Sequence, residues 1–421
     1  MNFFNYRNGE LCCEDVKVSA ITGQTGTPVY VYSAKTLRRH YDVFRRAFVV
    51  TTPLICYSVK ANSNIAVVSL FSSMGAGADI VSGGELFRAI RAGVRGERIV
   101  YSGVGKTTEE IRYALENKIL MFNAESIEEL DAIDSVAGSL GTIAPVSIRI
   151  NPDIDPRTHP YISTGLRKNK FGIDIRHARD AYTEARARNN LRIVGLDMHI
   201  GSQLTDVSPI ESALKRVLGL FTDLRHDGID IQYIDIGGGL GIAYRDEQAA
   251  QPDGYAAAIE RALKDFGGKL ILEPGRVLVG NAGILVAKVL YRKQNGTRRF
   301  MIVDAGMNDL IRPSLYDAYH EIVPIIETRG RRFKQDVVGP ICESGDFFAH
   351  RRDLPLLDRG QMIALMSAGA YGFSMSSNYN SRKRAAEVLV DGNNYYVIRE
   401  REMDGDLTRG ERIPPASNSG E

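Results

Sequence analysis

The chain has 421 residues, 44% hydrophobic and 25% charged, and Lys+Arg minus Asp+Glu is 53 − 51 = +2. This length exceeds one ordinary domain unless that domain is a barrel, and the composition excludes a disordered chain. So small a net charge argues against nucleic acid or an anionic membrane as partner, and no apolar run is long enough to span a bilayer.

The opening residues combine no basic start, apolar stretch and small-residue cleavage site, so a secretory leader is not expected. Cysteines stand at 12, 13, 56 and 342, with no Cys-x-x-Cys pair. The seven histidines are scattered and no His-Glu-x-x-His occurs, so no metal site is expected. Unpaired cysteines fit a reducing compartment, and the cytoplasm is the expected location.

Val29-Tyr30-Val31-Tyr32 reads as an early strand. Eight short apolar runs follow: Leu54–Val59, Ala78–Val81, Arg98–Tyr101, Ile119–Phe122, Val146–Ile150, Ile193–His199, Ile231–Ile236 and Leu270–Glu273. Several are apolar almost throughout, as parallel strands buried on both faces are. Their spacing of roughly 30 residues is that of a strand plus a crossover helix. Helix-start signals lie between them: Thr107 with Glu110, Ser126 with Glu129, and Ser208-Pro209-Ile210-Glu211, a capping box with Pro at the first helical position. The expected architecture is α/β: a (β/α)₈ TIM-like barrel over 33–278, with a doubly wound open sheet as the competing arrangement. After about residue 278, alternating runs such as Ile284–Val289, Phe300–Val303, Gln335–Val338, Met362–Met366 and Tyr395–Ile398 predict a C-terminal antiparallel β domain, made of 1–32 and 279–421. The polar tail from Pro414 is expected to fray.

Barrel enzymes carry their chemistry at the C-terminal ends of the strands. After strand one stands Lys60, where burial would depress the amine's pKa and make it nucleophilic. It also reads as a snorkelling surface lysine. After strand six comes His199-Ile200-Gly201-Ser202-Gln203, whose histidine reads equally as a satisfied core residue. After strand seven comes Gly237-Gly238-Gly239-Leu240-Gly241, suited to a phosphate or simply to a tight loop. After strand eight come Glu273-Pro274-Gly275-Arg276. A strand-one lysine, a late phosphate loop and an acid after strand eight suggest a Schiff base with pyridoxal 5'-phosphate.

Tyr57–Asn62, Gly77-Ala78-Asp79 leading into Ser82–Leu86, His199–Gln203, Gly237–Gly241, Glu273–Arg276, Arg312 with Tyr316, Cys342–Asp346 and Gly369–Gly372 keep one order along nearly the whole chain. In them the chain resembles the pyridoxal-phosphate decarboxylases of the alanine-racemase-like fold, most closely those acting on diaminopimelate. The resemblance implies that Lys60 carries the cofactor and His199 stacks on its ring. Ser202, Gly238, Gly239 and the Gly275–Arg276 backbone would hold the phosphate, and Glu273 would keep the pyridine nitrogen protonated. Asp79 would lie near Lys60, or only cap a loop. The resemblance also implies a homodimer with shared sites. Cys342 and Glu343 would enter from the second subunit, as carbanion acid and as ligand of the distal amine. Arg276, Arg312 and Tyr316 would bind the distal carboxylate, and Tyr371 would reach phosphate and substrate. The stretch Ser163–Gly172 resembles the family's mobile loop, or is a solvated charged loop.

The implied reaction is decarboxylation of meso-2,6-diaminopimelate at its D-centre to L-lysine and CO₂, the last step of lysine biosynthesis. Alternatives are a decarboxylase of a related diamino acid or of carboxynorspermidine, or a non-catalytic pyridoxal-phosphate carrier. One acid with two arginines matches diaminopimelate by charge count, whereas ornithine- and arginine-type substrates lack the second carboxylate. Such carriers lack the β domain.

Overall fold

The computed structural model describes residues 2–155, 164–166 and 169–415. Eight parallel strands form the first unit: β1 (Leu54–Ser58), β2 (Gly77–Ile80), β3 (Ile99–Tyr101), β4 (Met121–Ala124), β5 (Ala144–Asn151), β6 (Leu191–Asp197), β7 (Tyr233–Asp235) and β8 (Lys269–Leu272). Each pairs with its successor, and Ile271 and Leu272 of β8 pair with Leu54 and Ile55 of β1, which closes the ring. The closed barrel is therefore formed and the open doubly wound sheet is not. Closure leaves no strand edge, and the helices outside it cover apolar residues that a lone sheet would expose.

Side chains alternate along each strand, so residues two apart face the same way. Cys56, Val100, Met121 and Ile271 form one small buried apolar cluster inside the barrel. Two residues further on stand Ser58, Ser102, Asn123 and Glu273, all buried. The interior thus changes from apolar to polar at the mouth, where the functional motifs lie.

Helix starts follow the sequence signals in part. Thr107 and Glu110 form the reciprocal capping box. Ser126 Oγ accepts from the Glu129 N–H, while the Glu129 carboxylate reaches the Glu125 N–H rather than the cap. The box at Ser208 does not form: the helix begins at Ser208 itself, whose N–H and hydroxyl both donate to Asp206. Aspartate two residues earlier offers the closer acceptor, so the serine hydroxyl is already engaged.

The second unit centres on a large sheet that includes Gly283–Asn295, Arg298–Val303, Arg332–Val338, Phe347–Pro355, Met362–Leu365, Ala386–Asp391, Asn394–Arg399 and the early strand Val29–Ser33. It is mostly antiparallel but mixed. Val29–Ser33 runs antiparallel to Gly283–Asn295 and parallel to Ala386–Asp391, and Arg298–Val303 runs parallel to Arg332–Val338. The expected antiparallel β domain is therefore formed, with one of its parallel pairings arising where a strand from the chain start inserts between Gly283–Asn295 and Ala386–Asp391. Alternation sends Val29 and Val31 into one core and Tyr30 and Tyr32 into the other. No described helix is long and apolar enough to cross a membrane. Residues 416–421, most of the tail expected to fray, lie outside the described residues.

The two units meet beside Lys60. The Tyr371 N–H donates to the Ala61 carbonyl at 2.8 Å, and Asn62 Nδ2 donates to the Gly369 carbonyl at 3.3 Å. Asn64 Nδ2 donates to the buried Glu387 carboxylate at 2.9 Å, which also accepts from Tyr32. The loop after β1 is thereby fastened to the β domain.

Candidate active site

A cavity of about 380 Å³ opens at the barrel mouth, and Lys60, His199, Ser202, Arg276, Arg312 and Tyr371 line it together with Tyr316. Residues separated by more than 300 positions converge here because the barrel ends and the β domain face each other across it.

Lys60 occupies a single helical turn directly after β1. Its Nζ lies 2.6 Å from Asp79 Oδ2, and its side chain is 35% exposed, open to the cavity. Asp79, fully buried on β2, also accepts from Ser58 Oγ at 2.7 Å. It does not cap a loop. Burial works against the charge on Lys60, but the carboxylates of Asp79 and Glu273 outweigh it and raise the amine's pKa. The expectation of a lowered pKa is corrected: the carboxylate partner wins over desolvation.

His199 follows β6. Its Nδ1 accepts from the Gly238 N–H at 3.1 Å, which leaves the hydrogen on Nε2. Burial, then Arg149 and Lys60, push its pKa well below the ordinary value, so the ring is neutral. The glycine run packs against this ring and the end of β8. A Cβ at Gly238 would stand 2.2 Å from the Glu273 carbonyl oxygen. Gly239 has φ +109, where a side chain is strained, and a Cβ there would meet the Gly201 carbonyl oxygen at 2.6 Å. Only bare backbone fits this close approach. Gly275 lies against Ser58 and Ala61 of the Lys60 loop.

Glu273 is buried at the end of β8 and accepts from Ser102 Oγ at 3.2 Å. Burial first, then the neighbouring Asp235 and Asp79 carboxyls, raises its pKa well above the usual carboxylate range. Asp235, buried on β7, accepts from the Gly237 N–H at 2.9 Å, and burial first, then the neighbouring Asp197 carboxyl, raises its pKa. A cationic ring nitrogen is the partner that such a crowded carboxyl lacks.

Arg276 Nη2 donates to Ser202 Oγ at 3.1 Å and Nη1 to the Tyr244 hydroxyl at 2.8 Å, while its guanidinium lies 4.8 Å from the Tyr371 ring centre. Tyr371 itself has φ +55. Arg312 Nη1 lies 2.9 Å from His320 Nε2, and His320 Nδ1 lies 2.8 Å from the Met366 carbonyl. That carbonyl fixes the proton on Nδ1, so Nε2 accepts from the arginine. Burial, then Arg312, lowers His320 to about 3.

The predicted residues of the barrel, with Arg312, Tyr316 and Tyr371, are therefore brought together. Cys342 and Glu343 are not. Both are exposed and neither lines the cavity, although Asn380 Oδ1 accepts from the Cys342 N–H and the Tyr379 hydroxyl donates to Glu343 at 2.8 Å. Of the loop 163–172, positions 163, 167 and 168 lie outside the described residues; Thr164 lines the cavity and its hydroxyl donates to the His199 carbonyl at 2.9 Å.

Sequence reasoning missed Tyr244, His320, Asp235 and Arg149. Tyr244 follows the glycine run by three residues, so a longer look past strand seven finds it. Arg149 sits on β5, paired with Glu125 at 2.7 Å, inside a run read only for its apolar residues. His320 carries no local signal, since the single turn Arg312–Tyr316 and the chain after it bring it back.

These residues fit pyridoxal phosphate: an amine for its aldehyde, a buried acid for its ring nitrogen, and bare backbone with Ser202 and Arg276 for its phosphate. The family model "Pyridoxal-dependent decarboxylase, pyridoxal binding domain" matches residues 34–280. The chain is 51% identical over 401 residues to the diaminopimelate decarboxylase of Aquifex aeolicus, covering 95% of each, and 51% identical over 404 residues to that of Haemophilus influenzae, covering 96% of this chain and 97% of the relative. It superimposes on the crystal structure of diaminopimelate decarboxylase from Helicobacter pylori complexed with L-lysine with a TM-score of 0.90 at 44% identity, over 93% of this chain and 98% of that one. For the diaminopimelate decarboxylase of M. jannaschi the TM-score is 0.93 at 38% identity, over 98% of both chains. The chain belongs to the pyridoxal-dependent decarboxylases and, among them, to the diaminopimelate decarboxylases.

Proposed function

We propose that the protein decarboxylates meso-2,6-diaminopimelate at its D-centre to L-lysine and CO₂, with pyridoxal 5'-phosphate as cofactor and in the cytoplasm. The observation that carries this reading is one cavity joining Lys60 to Arg276 and Arg312, neither of which has a carboxylate partner among the described residues. Two buried guanidiniums call for an anion, and diaminopimelate brings a carboxylate at the end remote from the reaction. CO₂ release from meso-diaminopimelate, ornithine, lysine and carboxynorspermidine tests it. Turnover confined to diaminopimelate is expected, and faster release from any of the others would overturn the assignment.

Pyridoxal phosphate, when bound, supplies the electron sink for the bonding pair that departing CO₂ leaves behind. The work of the chain is to hold and to exclude. Lys60 would anchor the cofactor, and Asp79 accepts a hydrogen bond from its Nζ. Neutral His199 offers a flat face without competing charge. Glu273 keeps a proton on the ring nitrogen. Ser202, Gly238, Gly239, Gly275 and Arg276 take the phosphate, with Tyr371 beside them. Arg276, Arg312 and Tyr316 hold the far carboxylate.

The barrel (33–278) and the β domain (1–32 and 279–421) complete each site through a homodimer. The exposed Cys342 thiol and Glu343 carboxylate stand outside the cavity of their own chain, which supports their service in the other subunit's site. There Cys342 delivers the proton to the reacting carbon and Glu343 binds the distal amine.

A further inference from the structure

The residue between the two arginines is Tyr244, three residues past the glycine run. It is part-buried in the loop after β7 and lines the cavity. Its backbone is held in place: the Tyr244 and Arg245 N–H groups donate to the two oxygens of Glu247 at 2.8 and 2.9 Å. Its hydroxyl oxygen accepts from Arg276 Nη1 at 2.8 Å. The Arg312 guanidinium lies over its ring, 4.6 Å from the centre, and the ring meets His320 edge-on at 5.6 Å. One side chain therefore touches both guanidiniums, through its oxygen and its π face.

Both arginines are only 6% exposed. Like charges so enclosed repel each other and need something between them that tolerates both. The quadrupole of an aromatic ring does this for Arg312, and the phenol oxygen does it for Arg276. The phenol also keeps its own hydrogen. Among the described residues no acceptor receives it, so it is an unspent neutral donor beside the two cationic guanidiniums. The two arginines also pull the phenol's pKa down against its burial, and a more acidic O–H is a better donor to an anion.

We propose that Tyr244 is a specificity-determining residue: it spaces Arg276 and Arg312 and donates its hydroxyl hydrogen to the substrate's distal carboxylate. The inference rests on reading the two arginines as the carboxylate clamp. It adds a neutral donor that discriminates by chemistry rather than by charge alone. A ligand with a far carboxylate brings an anion to the two guanidiniums and an acceptor to the phenol, while one ending in an amine brings neither.

The test is calorimetric binding to the cofactor-loaded protein of two ligands that differ only in that carboxylate, L-lysine and 1,5-diaminopentane, in wild type, Y244F and Y244L. Y244F keeps the ring and loses the donor. It should bind L-lysine about tenfold or more weakly, with diaminopentane binding little changed. Y244L loses the ring as well and should weaken L-lysine further. In turnover of meso-diaminopimelate the Y244F defect should fall on KM rather than kcat, because the bond that breaks lies at the other end. Unchanged L-lysine binding in Y244F, or equal weakening of both ligands, would overturn the role of Tyr244. Wild-type protein that failed to prefer L-lysine over diaminopentane would overturn the clamp, and the role of Tyr244 with it.

Discussion

Lys60 Nζ sits 2.6 Å from Asp79 Oδ2, and that carboxylate is wholly buried on the neighbouring strand. The pair holds the amine as an ammonium, although an amine must shed its proton to attack a carbonyl. Asp79 therefore controls the pH at which Lys60 can capture pyridoxal phosphate. In Asp79→Asn the pH of half-maximal capture rate, followed by absorbance on cofactor-free protein and confirmed by borohydride trapping on Lys60, should fall by about 1–3 units. An unmoved profile would show that Asp79 does not set the charge of Lys60.

Glu273 is crowded by Asp235 and Asp79 and hydrogen-bonded to Ser102. Glu273→Gln keeps the shape and removes the charge that pairs with a protonated ring nitrogen. The interaction matters most as negative charge develops in the transition state, so kcat should drop about a hundredfold while KM moves less. Steady-state kinetics with diaminopimelate decide it, and an unchanged kcat rejects the role.

His320 accepts from Arg312 as a neutral ring, and its pKa is lowered from 6.5 to about 3. Between those values the unfolded chain binds the proton and the folded chain does not, so stability is lost as pH falls below 6.5. At about pH 5, 1.5 units below the ordinary value, the loss is about 2 kcal/mol. His320→Gln lacks this term. The unfolding free-energy gap between wild type and variant, measured in urea at about pH 7.5 and about pH 5, should narrow by about 2 kcal/mol at the lower pH. A constant gap would mean that His320 is not neutral in the fold.

Cys342 stands outside the cavity that holds Lys60. If each site takes Lys60 from one subunit and Cys342 from the other, Lys60→Ala and Cys342→Ala proteins should rescue each other when unfolded and refolded together. Random pairing makes about half of the dimers mixed, and each mixed dimer has one intact site. About a quarter of wild-type activity should return. Activity at the level of the parents, with mixed dimers present by mass spectrometry, would refute the shared site.

Much of this molecule was legible in its sequence for one reason: barrel strands are buried on both faces and read as apolar runs, each with its chemistry just past the end. Lys60, His199, the glycine run and Glu273 were found by that rule. The Thr107–Glu110 cap was found because both halves of the box lie within four residues. Tertiary structure decided what depends on partners far along the chain. β8 meets β1 to close the barrel, and Val29–Ser33 enters the C-terminal sheet to make it mixed. Asp79 reverses the expected shift of Lys60, because a charge 2.6 Å away outweighs burial and no local window shows that distance. Tyr244 and His320 meet Arg276 and Arg312 only after two units fold face to face. Local pattern determines which segments become strands and helices; through-space electrostatics and long-range pairing determine what charge their side chains carry and which of them touch.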